Sequence, residues 1–184
     1  SVKKSRFELN EHSDKGEIPQ TVIGQGNTLM TPFHNALLMC AVANDGVLMK
    51  PYVIDHIEGA DNTTVKENIP EIYADLMSKK DAKKLQKMLR EVVTDGTGYS
   101  LDTDLYTAAG KTGTAENEGK YAHAWFVGYS NVEDPDLVVC VLVENTGAGS
   151  KYAVPIAKKI FNSYYNNNMK EYYGEKKNTA QSDE

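Results

Sequence analysis

The sequence predicts a mixed α/β domain whose strands form antiparallel hairpins. Three apolar, strand-like segments follow one another at about 106–115, 122–130 and 136–145, and short polar links join them. Such short links favour antiparallel hairpins, because parallel strands need a long crossover. Helical periodicity lies on both sides of this run. The length of 184 residues with 40% hydrophobic residues suits one domain with a substantial core.

The N-terminal part of the chain begins without a regular pattern. Residues 1–20 are polar and lack periodicity, which indicates a loop, and a short apolar run at 21–26 closes on a glycine turn. Thr31-Pro32 is typical of a helix start, with the threonine as N-cap and the proline in the first turn. The segment 33–43 is apolar on most sides and predicts a buried helix, which Asn44-Asp45-Gly46 ends.

The middle of the chain predicts two strands and an amphipathic helix. Residues 47–57 indicate a strand, a bend and a second strand, and residues 58–70 form a polar connection. Ser78 and Asp81 have the spacing of a capping box. The apolar face expected on the next helix consists of Leu85, Met88, Leu89, Val92 and Val93. Asp95-Gly96-Thr97-Gly98 ends this helix.

A last helix is expected after the three strands. It covers about residues 153–165, with Ile156, Ile160 and Phe161 as its buried face. Residues 166–184 are polar, and from Glu175 onward we expect disorder.

Composition excludes several classes of function. The net charge of −6, without a basic stripe, argues against nucleic acid as a partner. The four histidines are scattered, so no metal site and no cofactor is expected. His123 at a strand start could transfer a proton, but a histidine with satisfied hydrogen bonds is the simpler interpretation. Cys40 and Cys140 lie in apolar runs and are expected to be buried free thiols, although a disulfide stays open.

Lys111-Thr112-Gly113-Thr114 carries most of the functional information. On an extended strand, side chains alternate between faces, so Thr112 and Thr114 should form a hydroxyl pair able to hold a carboxylate. Gly113 lets another backbone lie close, and Lys111 adds a positive charge. The set suits capture of an extended peptide that carries a carboxylate. A glycine-containing edge strand with solvent-facing threonines is the alternative interpretation of the same residues.

The wider sequence around this strand resembles a known family. Residues 108–116, Ala-Ala-Gly-Lys-Thr-Gly-Thr-Ala-Glu, look like the third active-site motif of penicillin-binding proteins, and their last three residues are most similar to the class B, monofunctional members. Other segments resemble the family in the same order: 23–26, Thr31-Pro32, 41–46, 95–98, 123–129 and 153–157.

The resemblance implies a fold and an activity. The family's domain is a three-layer α/β/α sandwich around an antiparallel sheet, here expected to be incomplete, with residues 1–165 as the C-terminal portion of the transpeptidase domain. Its members cross-link peptidoglycan by acyl transfer through a serine ester. By motif, Lys111 would support the electrostatics of catalysis, and the substrate-binding residues would be Lys111, Thr112, Gly113 and Thr114. The backbone N–H of Thr114 would be one oxyanion-hole donor.

The resemblance also implies partners and a location. The expected partners are a peptidoglycan stem peptide, β-lactam antibiotics and the missing N-terminal part of the same domain. The family is anchored by an N-terminal helix at the outer face of the cytoplasmic membrane, whereas this chain lacks an apolar run of about 20 residues and is expected to be soluble.

Two motifs of the family have no counterpart in this sequence. Ser1-Val2-Lys3-Lys4 fits the string Ser-x-x-Lys, but it lies in a polar stretch and too close to Lys111 to supply the nucleophile. Tyr129-Ser130-Asn131 resembles a variant of the Ser-x-Asn motif but follows Lys111, which is the wrong order. We therefore expect a truncated piece that is inactive alone. A non-catalytic peptide-binding module that uses the same strand is the second hypothesis, and an unrelated α/β domain is the third.

Overall fold

The fold consists of a three-stranded antiparallel sheet with helices on both of its faces. The computed structural model describes residues 3–166, so most of the predicted polar tail and Ser1 lie outside the described residues. In order, the elements are α1 (Glu17–Val22), α2 (Pro32–Ala43), β1 (Val47–Met49), β2 (His56–Glu58), β3 (Thr64–Glu67), β4 (Ile72–Asp75), α3 (Lys79–Thr94), a 3-10 helix (Tyr99–Leu101), β5 (Ala108–Ala115), β6 (His123–Ser130), β7 (Leu137–Val143) and α4 (Gly149–Asn166).

The central sheet has the strand order β5-β6-β7. Along β5 and β6 the register runs from Ala108 opposite Ser130 to Ala115 opposite His123. All three predicted strands are confirmed, and the tight links between them give the antiparallel pairing that the sequence predicts.

Each face of this sheet buries its own core. On the α4 side, the small residues Ala153 and Ala157 let the helix approach the strands closely enough to bury Phe126 and Phe161 completely. On the other side, Tyr129 of β6 packs with Met39, Val42 and Ala43 of α2. The layering is therefore α/β/α, which confirms the predicted fold class.

The local signals for helix ends are confirmed. The Thr31 side chain accepts a hydrogen bond from the His34 backbone N–H at 3.2 Å, and Ser78 accepts one from Asp81 at 3.2 Å. After α2, Asp45 has a φ of 53°, a left-handed conformation that ends the helix within the predicted segment Asn44-Asp45-Gly46.

Four elements were not predicted from the sequence: α1, β3, β4 and the 3-10 helix. Most of α1 and all of β3 fall in segments that the sequence assigns to a loop or a polar connection, whereas β4 and the 3-10 helix lie in stretches for which the sequence predicts no element. No residue of α1 is buried, and all four residues of β3 are exposed. Strands with no buried face show no alternation of apolar and polar residues, so periodicity could not find them.

The buried faces of two helices differ from the prediction. In α3 Val93 is buried, as predicted, but the side chains of Leu85 and Met88 are exposed, whereas Ala82 and Gln86 are buried. Gln86 tolerates burial because its amide donates to the Val42 carbonyl oxygen at 2.7 Å and to Asp45 at 3.2 Å.

The same kind of error affects the last helix. Phe161 is completely buried, as predicted, but Ile156 and Ile160 of α4 are about 40% exposed. The other buried side chains of this helix are those of Ala153, Val154 and Ala157. This helix also starts four residues before the predicted position, at Gly149, so Pro155 lies in its second turn rather than in its first.

Candidate active-site strand

The strand β5 pairs with β6 along one edge and, within residues 3–166, has no strand along the other. In an antiparallel pair, the backbone groups of alternate residues point toward the partner strand and away from it. Three carbonyl oxygens of β5, those of Ala108, Thr112 and Thr114, accept hydrogen bonds from side chains rather than from β6. The even-numbered residues therefore direct their backbone groups to the free edge.

Thr112 and Thr114 lie on the same face of the sheet. Their partners in register are Phe126 and Ala124, which face α4. Thr112 is only 9% exposed, whereas Thr114 is open to solvent. Both backbones also face the free edge, so an extended ligand laid along that edge would meet two hydroxyls and the Thr114 N–H.

Two contacts orient these hydroxyl groups. The Thr112 Oγ1 atom lies 2.6 Å from Oγ1 of Thr97, in the turn that follows α3. The Thr114 Oγ1 atom accepts a 3.4 Å hydrogen bond from the backbone N–H of Gly149, at the start of α4. The N-terminal end of a helix carries a partial positive charge, which favours an anion near Thr114.

Lys111 projects from the opposite face and is exposed to solvent. Its Nζ atom donates to the carbonyl oxygen of Thr112 at 2.7 Å. No carboxylate of residues 3–166 lies within 4 Å of Nζ. Its positive charge is therefore not neutralised by an ion pair in the part of the chain that the structure describes.

Glycines hold the start of β5 tightly against β6. A Cβ atom added at Gly110 would lie 2.7 Å from both Phe126 Cζ and the Val127 carbonyl oxygen, and 2.8 Å from Gly128 Cα. Gly110 and Gly128 are paired in register, so the Phe126 ring covers two adjacent glycines. This packing fixes the strand one residue before Lys111. At Gly113 an added Cβ would meet only the Trp125 side chain, at 3.1 Å.

A groove of about 900 Å³ lies beside the C-terminal end of β5. It separates the segment after α1 from the β5–β6 connection, and its polar lining includes Gln20, Gln25, Asn27, Glu116 and Glu118. From this groove, Gln25 reaches β5 and donates its side-chain amide to the Thr114 carbonyl oxygen at 3.2 Å.

Three residues at this strand were missed by the sequence analysis. The sequence indicates only a turn at Thr97 and a glycine turn at Gln25, and it gives no functional indication for Arg90. Arg90 donates to the Ala108 carbonyl oxygen at 2.8 Å and to Asp102 at 2.9 Å, which ties α3 to β5. Thr97 and Gln25 each lie between two glycines, a signal too weak to identify them without the fold, and Arg90 lies within α3 with no local signal.

Other candidate residues have structural roles. His123 accepts a hydrogen bond from the backbone N–H of Asn145 at 3.0 Å, consistent with a satisfied residue at a strand end. In the Tyr129-Ser130-Asn131 string, Ser130 and Asn131 both donate to Asp136 and so brace the β6–β7 turn. Cys40 and Cys140 are free thiols, as predicted, but they are partly rather than completely buried.

Residues 3–166 contain neither a cluster of metal ligands nor a membrane-spanning helix. No group of three or more His, Cys, Asp or Glu side chains there has the arrangement of a metal site. None of the helices in that range has both the length and the apolar character needed to cross a membrane.

Comparison with known sequences places this strand in a wider context. Residues 8–162 match the family described as "Penicillin binding protein transpeptidase domain". The peptidoglycan D,D-transpeptidase PbpA of Mycolicibacterium smegmatis is 31% identical over 156 residues, which cover 79% of this chain and 31% of that protein. MrdA of Haemophilus influenzae, also a peptidoglycan D,D-transpeptidase, is 34% identical over 176 residues, covering 84% of this chain and 27% of that protein.

The fold is also similar to those of solved penicillin-binding proteins. The imipenem acyl-enzyme complex of penicillin-binding protein A from M. tuberculosis superposes with a TM-score of 0.78 at 28% identity. The match covers 88% of this chain and 36% of that one. The chain thus spans about a third or less of the length of the relatives described here.

Proposed function

The chain belongs to the penicillin-binding protein transpeptidase family, and we propose that it supplies the substrate-binding strand of a peptidoglycan D,D-transpeptidase. The observation that carries this proposal is the free edge of β5, where Thr112 and Thr114 share a face and Lys111 has no described carboxylate partner. An extended peptide would add to this edge by main-chain hydrogen bonds, as in β-augmentation.

Each residue of the strand has a role in this proposal. The hydroxyls of Thr112 and Thr114 bind the carboxylate of the stem peptide or of a β-lactam, and Lys111 contributes positive charge. The Thr114 N–H donates to the oxyanion that forms when a serine oxygen attacks the substrate carbonyl carbon. Its outward direction on the free edge supports this role. Gly113 keeps the face beside Lys111 low enough for a ligand to approach.

We assign the nucleophilic serine to a different segment of the transpeptidase domain. No residue of the described chain has the family's Ser-x-x-Lys arrangement ahead of the strand, so we propose that residues 1–165 act with a complementary part of the same domain. In this proposal the chain alone binds a ligand reversibly and does not turn it over. The complete site would lie on the outer face of the cytoplasmic membrane, where peptidoglycan is assembled.

Exposed apolar side chains support a complementary part. Val22 and Ile23 at the end of α1 are 79% and 76% exposed, and Phe33 in the first turn of α2 is 60% exposed. Large exposed apolar side chains of this kind are what a surface that packs against another segment would present. A self-contained peptide-binding module, the second candidate function, should instead have this surface covered.

Two measurements on the 184-residue chain test the proposal. A nitrogen-15-labelled sample titrated with benzylpenicillin should show reversible shifts of the β5 amide signals, and a fluorescent penicillin should leave no stable covalent adduct. Thr112→Val and Thr114→Val should each weaken the reversible binding about five- to ten-fold, since each removes a hydrogen bond to a charged group. Thr64→Val, on the exposed strand β3, is the matched control.

The outcomes separate the parts of the proposal. Absence of any shift at β5 would contradict the assignment of the substrate strand. A stable adduct would contradict the assignment of the nucleophile to a different segment. Binding that stays unchanged after both threonine substitutions would contradict the role of the hydroxyl pair.

A further inference from the structure

The turn after α3 brings a third hydroxyl to the substrate-binding strand. Thr97 Oγ1 lies 2.6 Å from Thr112 Oγ1, a normal distance for one hydroxyl donating to another. The two residues are 15 positions apart and belong to different elements. Thr97 is exposed, whereas Thr112 is 9% exposed, so the hydrogen bond lies at the boundary between the strand edge and solvent.

The backbone of the turn fixes the position of Thr97. The N–H of Gly98 donates to the Val92 carbonyl oxygen at 2.9 Å, and the N–H of Tyr99 donates to the Gly96 carbonyl oxygen at 3.1 Å. A Cβ atom added at Gly96 would lie 2.9 Å from Val92 Cα, so the turn packs directly on the last turn of α3. Leu101, in the 3-10 helix that follows, is completely buried and anchors the C-terminal end of the turn.

The number of hydroxyl protons limits how the pair can bind an anion. Each threonine has one proton to donate, and a carboxylate accepts but does not donate. If Thr112 donates its proton to a carboxylate, the Thr97–Thr112 hydrogen bond survives only with Thr97 as the donor. In that arrangement Thr112 accepts from one side and donates to the other, and chained hydrogen bonds of this kind strengthen one another.

We propose that Thr97 is a positioning residue for carboxylate recognition: its hydroxyl donates to Thr112 Oγ1 and thereby directs the Thr112 proton toward the ligand. This inference rests on the proposed function, because it assumes that Thr112 binds a carboxylate. Thr97 acts through Thr112 and does not itself contact the ligand. The turn after α3 therefore belongs to the ligand-binding apparatus as well as to the fold.

The test compares a carboxylate ligand with a neutral one on the full 184-residue chain. Reversible binding of benzylpenicillin and of its methyl ester is measured for the wild type, Thr97→Val and Thr97→Ser. Thr97→Val should weaken binding of the acid about three- to ten-fold, the equivalent of one hydrogen bond, and leave ester binding unchanged. Thr97→Ser keeps the hydroxyl and should restore acid binding. Thr94→Val is the matched control, because the Thr94 hydroxyl bonds only to the Arg90 carbonyl oxygen of its own helix in the described structure.

A double-mutant cycle decides whether Thr97 acts through Thr112. Thr97→Val should have no further effect on acid binding in a Thr112→Val background. Multiplicative losses would overturn the proposal, because they would mean that Thr97 binds the ligand independently. Equal weakening of acid and ester would also overturn it, as a structural effect. A wild type that binds acid and ester equally would overturn the proposed function itself, which separates the two failures.

Discussion

Gln25 donates its side-chain amide to the carbonyl oxygen of Thr114 at 3.2 Å, although 89 positions separate the two residues. The bond occupies a backbone acceptor on the free edge of β5, next to the hydroxyls that we assign to ligand binding. An extended peptide that pairs with this edge needs the same acceptor. Gln25 and the peptide therefore compete for one carbonyl oxygen.

Removing the Gln25 amide should strengthen peptide binding. Gln25→Ala frees the Thr114 carbonyl oxygen, so affinity for a carboxylate-terminated peptide should rise about three- to five-fold, the equivalent of one exposed hydrogen bond. Isothermal titration or an NMR titration measures the change. Asn27→Ala is the control, since it removes an amide from the same groove that bonds to Glu17 and not to β5. Weaker binding by Gln25→Ala would show that Gln25 assists the ligand.

Replacement of Tyr129 by phenylalanine should not destabilise the protein. The Tyr129 hydroxyl is buried without a hydrogen-bond partner in the described structure, and burial raises its pKa to about 12. Removing an unsatisfied buried hydroxyl should raise the free energy of unfolding by about 1 kcal/mol. Tyr106→Phe is the control and should lower it by about 1 kcal/mol, because that hydroxyl donates to Asn162 at 3.0 Å. Urea unfolding measures both, and a loss of stability in Tyr129→Phe would reveal a partner for its hydroxyl.

The protein should lose stability in acid because the Asp45 carboxylate becomes protonated. Hydrogen bonds from Lys83 and Lys79 lower the pKa of its carboxyl from 3.8 to about 2. A pKa that is lower in the folded state contributes stability above the unfolded value, and this is lost as the pH falls through the folded value. Above about pH 4, the free energy of unfolding of the wild type should therefore exceed that of Asp45→Asn by about 1 kcal/mol, a value that allows for solvent screening. The difference should vanish as the pH falls to about 2.

Asparagine is a suitable replacement for Asp45 because it also tolerates the positive φ at this position. As a control, Lys83→Gln should lower stability in the wild-type background and have little effect in Asp45→Asn. A difference between wild type and Asp45→Asn that does not depend on pH would contradict the role of the Asp45 charge.

Gly110→Ala should be strongly destabilising. The added methyl group would approach the Phe126 ring and the Val127 carbonyl oxygen to 2.7 Å, and backbone cannot move aside cheaply. We expect a loss of about 2–3 kcal/mol in the free energy of unfolding, as for other overpacked cores. At Gly16 an added Cβ would meet only an Asp14 oxygen at 3.7 Å, so Gly16→Ala is the tolerated control. Thermal unfolding measures the stability of both variants. If Gly110→Ala were as stable as Gly16→Ala, the close packing of β5 on β6 would be contradicted.

Both thiols should react slowly under native conditions. Burial raises the pKa of Cys40, and it raises that of Cys140 to about 11. Because the thiolate is the reactive form, little of either thiol is reactive near neutral pH. Iodoacetamide labelling followed by intact mass should be slow in the native protein and fast in denaturant. Fast native labelling of both would contradict this environment.

The helix ends and the central strands could be predicted because they depend on local chemistry. Thr31, Ser78 and Asp45 act through backbone groups within a few positions, so their residue types are informative by themselves. The strand with Lys111 could be predicted because its motif and its flanking hairpins lie close together in the sequence.

The buried helix faces could not be predicted because tertiary packing decides them. Apolar spacing favours Leu85 and Met88, yet both are exposed and the polar Gln86 is buried between them, because its amide donates to carbonyl oxygens at the end of α2. Likewise, contacts between Thr97 and Thr112 or between Gln25 and Thr114 join residues far apart in sequence. The hydroxyl pair was visible in the sequence, but the groups that orient it were not.

The side-chain donors along β5 also affect how readily the protein aggregates. An exposed strand edge is a template onto which other chains can add, which leads to aggregation. On β5, Arg90, Lys111 and Gln25 already occupy the carbonyl oxygens of Ala108, Thr112 and Thr114. A passing strand would have to displace three donors, two of them positively charged, before it could pair. The edge can thus remain accessible to a specific anionic ligand, which is attracted by the positive charge, while it resists pairing with other copies of the chain.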